Sequence, residues 1–112
     1  MSCLTLGTSP GSHRAVYSAP VKFVWDPRKD LENRAKHGVA FTEASTVFDD
    51  SDATTIDDPD HSIGERRYLT TGYSRQQRLL IVSHTEETDD LIRIIGARRA
   101  TNAERYTYEE GE

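Results

Sequence analysis

The stretch that decides the fold is residues 64–101, GERRYLTTGYSRQQRLLIVSHTEETDDLIRIIGARRAT. Residues 66–73, 78–85 and 91–98 are rich in aliphatic, aromatic and β-branched side chains, which favours three strands. The connections SRQQ and EETDD are short, so we expect neighbouring strands to be antiparallel. An arginine pair lies at each end of this predicted meander. The stretch therefore predicts a sheet that displays clustered cations, which suits contact with phosphate.

The residues before the meander predict a strand followed by two helices. Residues 21–25 favour a strand. Asp26 followed by Pro27 is a typical helix start, and Gly38 suits a left-handed C-cap. Thr42 is expected to cap a second, short helix.

Two further elements complete the predicted order. Residues 53–56 (ATTI) favour a short edge strand. Thr101 and Glu104 have the spacing of a capping box, which predicts a closing helix. The predicted fold class is α+β: a small antiparallel β-sheet with two N-terminal helices and a C-terminal helix.

Alternation assigns side chains to the two faces of the sheet. On the second strand of the meander, His84 shares a face with aliphatic residues. On the third strand, Ile92, Ile94 and Arg98 are expected to share a face, with Arg93 opposite. A register shift of one residue exchanges the faces, so their alignment across strands stays open.

Length and composition indicate one domain and a reducing compartment. The chain has 112 residues, of which residues 21–112 are expected to form a single domain. Residues 1–20 are rich in Ser, Gly, Pro and Thr and are expected to be a disordered lead or an expression remnant. One cysteine fits a cytoplasmic protein. The sequence shows neither a signal peptide nor an apolar run that would span a membrane.

The formal net charge of −5 counts against a polyanion ligand, but the charges are segregated. Fourteen of the nineteen acidic residues lie in predicted loops and in the tail. Most of the basic residues lie on the predicted strands and the first helix. Because binding responds to the local field, nucleic acid stays among the candidate ligands.

The pieces FVWDPRKDLENRAKHGVAFTEASTVFDD, DPDHSIGERRYLTTG and LLIVSHTEETDDLIRIIGARRAT resemble the BrnT family of type II toxin–antitoxin toxins. The resemblance runs in order from residue 21 to about residue 108. It implies a RelE-like fold and a metal-independent endoribonuclease that inhibits translation. Two departures stand out: Gly96 replaces a frequent Ser, and the closing helix NAERYTYEEGE is less basic than usual.

The resemblance also implies partners. These are an RNA substrate and a cognate BrnA-like ribbon-helix-helix antitoxin, which neutralises the toxin and alone contacts operator DNA. Neither a cofactor nor a membrane is implied. The alternative is a catalytically degenerate module that binds the antitoxin and acts only in operon autoregulation, which the acidic tail favours.

Metal-independent RNA cleavage requires proton transfer and stabilisation of a pentacoordinate phosphate. Arg67 and Arg98 are the expected phosphate ligands, and His37 or His84 is expected to move protons. Each has a structural alternative. The arginines are otherwise solvated or paired with acids such as Glu65, His37 is otherwise a helix C-terminal cation, and His84 is otherwise a core residue.

Three further residues are expected to bind RNA: Lys36 and Arg99 through phosphate, and Tyr106 by stacking. Asp57, Asp58, Asp60 and His61 form a cluster of hard ligands that could attract a divalent cation. It lacks a recognised ligand spacing, so no metal site is expected.

Overall fold

A computed structural model of the protein describes residues 21–58 and 64–110, together with the backbone of residues 13–14. The predicted lead, residues 1–20, lies outside the described residues except at His13–Arg14, whose backbone forms a short strand. His61, with its acidic neighbour Asp60, also lies outside them.

The described residues contain one six-stranded sheet in the order β1-β3-β4-β5-β6-β2. The strands are β1 (His13–Arg14), β2 (Lys22–Val24), β3 (Thr54–Asp57), β4 (Tyr68–Tyr73), β5 (Leu79–Thr88) and β6 (Leu91–Arg99). The predicted meander is β4, β5 and β6, and its antiparallel pairing is confirmed. One pair, β2 with β6 at one edge of the sheet, runs parallel.

The helices are α1 (Pro27–His37), α2 (Phe41–Ser45) and α3 (Asn102–Glu110), with a 3₁₀ turn at Thr46–Asp49 after α2. Together with the sheet they confirm the α+β class. No helix in residues 21–58 and 64–110 is long and apolar enough to cross a membrane.

The predicted caps of α1 are confirmed, but that of α2 is wrong. Asp26 Oδ1 accepts from the backbone N–H of Arg28 at 2.9 Å, and Gly38 ends α1 with φ 70°. The N-cap position of α2 is Ala40, not Thr42. Asp30 reaches across from α1 instead, and its Oδ1 accepts from the N–H of Phe41 at 2.9 Å.

The hydrophobic core lies on one face of the sheet, the inner face, which α1 and α2 cover. Asn33 of α1 fixes this layer. Its Nδ2 donates to the carbonyls of Val39 and Ala97 at 2.9 and 2.8 Å, and its Oδ1 accepts from the N–H of Ala97 at 3.1 Å. The outer face is covered in part by α3, which carries no buried residue.

A β-bulge in β6 separates Arg98 from the residues with which alternation grouped it. Ser83 pairs with Gly96 whereas His84 pairs with Ile94, so one residue of β6 is extra. Ile92 and Ile94 are buried in the core, but Arg98 lies on the outer face. The predicted shared face is therefore wrong, because a bulge reverses the alternation beyond it.

Candidate functional site

Four charged side chains meet at the end of the sheet where β4 begins. Arg93 Nη2 lies 2.7 Å from Glu65 Oε1, and Arg93 Nε lies 3.0 Å from Glu87 Oε2. Arg67 Nε lies 3.7 Å from the other oxygen of Glu65. We call Glu65, Arg67, Glu87 and Arg93 the arginine–glutamate cluster.

The register of the sheet produces this cluster. Thr85 of β5 pairs with Arg93 of β6. On the other side of β5, Tyr68 pairs with His84, which places Arg67 beside Thr85. Thr85 Oγ1 then donates to Glu87 at 2.7 Å and orients that carboxylate. Residues from three consecutive segments therefore converge on one end of the meander.

The cluster is accessible to a ligand. The side chains of Arg67 and Arg93 are 30% and 37% exposed, and that of Glu65 is 38% exposed. Hydrogen bonds from Thr85 and then Arg93 lower the pKa of Glu87 below its usual value. The Glu87 hydrogen bond, in turn, raises the pKa of the Arg93 guanidinium. The cluster thus offers guanidiniums held beside carboxylates at an exposed end of the sheet.

Two members of the cluster were missed from the sequence. Alternation places Arg93 opposite Ile92 and Ile94, and Glu87 lies in the predicted connection EETDD, so the sequence indicates neither as a site residue. A signal existed in the alternation, because Arg93 and Arg67 both point away from the core residues beside them. The missing information was the register between β5 and β6.

His84 lies inside the core rather than at the cluster. Its side chain is 0% exposed and packs against the rings of Phe48 and Tyr68. Its Nε2 lies 2.7 Å from Thr70 Oγ1, which in turn lies 2.7 Å from Thr55 Oγ1. Desolvation lowers the pKa of His84 to about 4. The imidazole is therefore neutral near pH 7 and shielded from water.

Arg98 lies at the opposite end of the sheet from Arg67. Arg98 pairs with Ile81, whereas Arg67 lies beside Thr85. Strand spacings then place the two Cα atoms roughly 16 Å apart. Both terminal nitrogens of Arg98 bind Glu104 of α3, at 2.8 and 2.9 Å. The structure therefore does not bring the two arginines together on one phosphate.

Hydrogen bonds explain the low pKa of Glu104, the partner of Arg98. The bond from Arg98, followed by the backbone N–H of Thr101, lowers the pKa of Glu104 to about 2. Thr101 Oγ1 accepts from the N–H of Glu104 at 3.1 Å, and Glu104 accepts from the N–H of Thr101 at 2.8 Å. The predicted capping box is present, and its carboxylate also holds Arg98.

Arg78 connects the end of α1 to the end of the sheet that carries Arg98. It forms an ion pair with the buried carboxylate of Glu43 and donates to the carbonyl of Gly38 at 3.0 Å. The hydrogen bond from Arg78 is the main cause of a lowered Glu43 pKa, to which the charge of Arg99 also contributes. Arg99 therefore lies close to Glu43 and to this helix end.

Two of the remaining predicted residues lie at this end of α1. Lys36 and His37 are exposed in the last turn of α1, next to Gly38. We call Lys36, His37 and Arg99 the upper basic patch, taking the end of the sheet that carries Arg98 as the upper end. Tyr106, on α3, is 69% exposed. Among the described residues, no group of three or more His, Cys, Asp or Glu side chains is placed to hold a metal ion.

Comparison with known proteins agrees with this architecture. The structure resembles the crystal structure of the Brucella abortus ribonuclease toxin BrnT, with a TM-score of 0.54 and 20% sequence identity. The match covers 73% of this chain and 99% of that one. At this identity the likeness defines the fold. A search of curated proteins found no match to the sequence.

The family comparison is more specific. Residues 25–104 match the family described as "Ribonuclease toxin, BrnT, of type II toxin-antitoxin system". The matched range includes β4, β5, β6 and the whole arginine–glutamate cluster. The chain belongs to the BrnT family of type II toxin–antitoxin ribonuclease toxins.

Proposed function

We propose that this protein is a metal-independent endoribonuclease whose catalytic centre is the arginine–glutamate cluster. The observation that carries the proposal is that Glu65 lies between two guanidiniums, at 2.7 Å from Arg93 and 3.7 Å from Arg67. A carboxylate with arginines on either side supplies a proton acceptor and ligands for phosphate oxygens.

Three residues of the cluster take part in the proposed reaction, and the fourth, Glu87, holds Arg93 in place. Glu65 removes the proton from a ribose 2′-hydroxyl, and the resulting oxygen attacks the adjacent phosphorus. The bond from phosphorus to the 5′-oxygen breaks, and that oxygen takes a proton from water. The products carry a 2′,3′-cyclic phosphate and a 5′-hydroxyl. Arg67 and Arg93 bind the non-bridging oxygens and stabilise their developing charge.

In this proposal Arg98 and His84 do not take part in the chemical step. Arg98 is held by both oxygens of Glu104, so binding phosphate would require breaking a bidentate ion pair. His84 is buried and neutral, and it organises the core through Thr70. The upper basic patch holds substrate backbone away from the cleaved bond, and Tyr106 stacks on an unpaired base.

The cellular role follows from family membership. Type II systems pair a toxin with a protein antitoxin, so we propose that the chain cleaves RNA in the cytoplasm and thereby inhibits translation. A ribbon-helix-helix antitoxin neutralises it, and operator DNA is contacted only through that antitoxin. The inclusion of the cluster in the family match supports this role.

The proposal is tested with purified protein and a labelled single-stranded RNA in excess EDTA. Cleavage with 2′,3′-cyclic phosphate ends is expected at the same rate as in magnesium. Cleavage that requires a divalent metal would overturn the metal-independent mechanism. Stable, folded protein that binds antitoxin and leaves RNA intact would instead establish the degenerate, autoregulatory module. The bidentate pairing of Arg98 with Glu104 favours that second candidate, because it occupies a guanidinium that could otherwise bind phosphate.

A further inference from the structure

A groove runs along the outer face of the sheet beneath α3. Its volume is about 990 Å³. The floor is formed by Ile56, Leu69 and Ile81, and Ala103 of α3 contributes to the wall. Ile56 keeps 42% of its surface exposed although it lies on a strand. The groove therefore presents apolar surface that this chain leaves partly in water.

Polar contacts hold α3 above the floor without filling the space. Tyr108 donates to Asp50 Oδ2 at 3.1 Å, and that oxygen also accepts from the N–H of Tyr73 at 2.8 Å. Tyr73 donates to Glu109. Together with the pair of Arg98 and Glu104, these bonds fix the helix at both ends of the groove. The groove is thus a preformed cleft.

The charge around the groove is acidic. Four carboxylates line it, those of Asp50, Asp52, Glu104 and Glu109, against one guanidinium, that of Arg98. Such a surface repels the phosphates of RNA and attracts lysine and arginine side chains. An apolar floor with an acidic rim is complementary to a peptide that carries both aliphatic and basic residues.

We propose that this groove binds a basic, amphipathic segment of the antitoxin, at a site separate from the arginine–glutamate cluster. The proposal rests on the partnership with an antitoxin proposed above. Aliphatic side chains of the segment cover Ile56, Leu69 and Ile81, and its basic side chains contact the acidic rim. The acidic charge that repels RNA from the groove therefore contributes to recognition of the antitoxin segment.

The first test uses the purified protein and a short labelled peptide of alternating leucine and lysine, without RNA. Saturable binding is expected by fluorescence polarisation, weakening as salt rises. Ala103→Trp, which fills the groove from the exposed helix, abolishes binding. Asp52→Lys weakens binding several-fold, whereas Asp89→Lys, in the exposed turn between β5 and β6, leaves it unchanged. Circular dichroism confirms that each variant is folded.

Specific results would overturn the proposal. They are equal binding of a peptide of alternating leucine and glutamate, unchanged binding by Ala103→Trp, or displacement of the peptide by a single-stranded RNA oligonucleotide. Because these assays contain no cleavage step, they stand if the protein proves not to be a ribonuclease. In cells that also express the cognate antitoxin, Ala103→Trp is expected to remain toxic while the wild type is neutralised. Neutralisation of both would equally overturn the proposal.

Discussion

Arg93 Nη2 contacts Glu65 Oε1 at 2.7 Å, although the two residues are 28 positions apart in the sequence. Arg93 belongs to β6, Glu65 precedes β4, and β5 lies between these strands. The contact therefore depends on the whole meander being in register. In the proposed reaction it joins the proton acceptor to one phosphate ligand, and Arg67 would supply a second ligand from the same segment as Glu65.

Substitution of Arg67 is expected to show that cleavage depends on one specific phosphate ligand and not on the overall positive charge of the surface. Arg67→Ala lowers RNA cleavage by about 100-fold or more, because one phosphate ligand is lost. Its neighbour Arg66 is exposed and pairs with Asp57 at 3.1 Å, so Arg66→Ala changes cleavage only a few-fold. Arg98→Ala, at the other end of the sheet, also retains cleavage. Single-turnover rates under identical conditions measure all three, and loss of cleavage in Arg98→Ala alone would move the site to that end.

His84 is expected to make stability fall in mild acid. Its pKa is 6.5 in the unfolded chain and about 4 in the folded protein, so between these values the unfolded state binds more protons. Stability is fully present above pH 6.5 and is lost as the pH falls to about 4, by about 3 kcal/mol. Denaturant titrations across this range measure the loss. In His84→Gln, the free energy of unfolding is expected to lose this dependence on pH. An unchanged pH dependence would exclude His84 as its source.

Gly72 and Gly96 form a matched pair for close packing. A Cβ on Gly72 would lie 2.9 Å from Ala53 Cβ and 3.0 Å from Val47 Cγ1, both in the core. Gly72→Ala is therefore expected to destabilise the fold by about 1–3 kcal/mol. At Gly96 the nearest atom would be Asn33 Oδ1 at 3.8 Å, so Gly96→Ala changes stability by less than about 1 kcal/mol. Thermal unfolding compares the two, and equal effects would contradict the packing at Gly72.

Asn33 is expected to be the polar residue on which stability depends most. Its three buried hydrogen bonds to Val39 and Ala97 join α1 to β6. Asn33→Ala leaves those backbone groups without partners and costs about 3 kcal/mol. Glu32→Ala, on the exposed side of the same helix, is the control and changes stability little. Chemical denaturation gives both values, and a loss below about 1 kcal/mol would show that water replaces the amide.

The sequence predicted the local features of the fold well, because they depend on neighbouring residues. Asp26, Pro27 and Gly38 define α1 through capping, and Thr101 with Glu104 defines the start of α3. The parallel pairing of β2 with β6 was not predicted, because it joins residues that lie far apart in the sequence. Local signals carry no information about that choice of edge.

The candidate site was less predictable because it depends on register. The bulge between Ile94 and Gly96 places Arg98 on the outer face. The residue pattern of β6 did not indicate this bulge. Family resemblance drew attention to Arg67 and Arg98 together, although the sheet separates them. Arg93 can be assigned to the candidate site only from the pairing of β5 with β6, which sets it opposite Thr85.

The central claim is that Glu65 accepts the proton in RNA cleavage, and Glu65→Gln tests it most directly. The amide keeps the size of the side chain but cannot act as the base, so the single-turnover rate in EDTA is expected to fall by about 100-fold or more. Glu32→Gln, on the exposed side of α1 and outside the cluster, is the control and is expected to retain the rate. Folded Glu65→Gln protein that cleaves RNA as fast as the wild type would contradict the account.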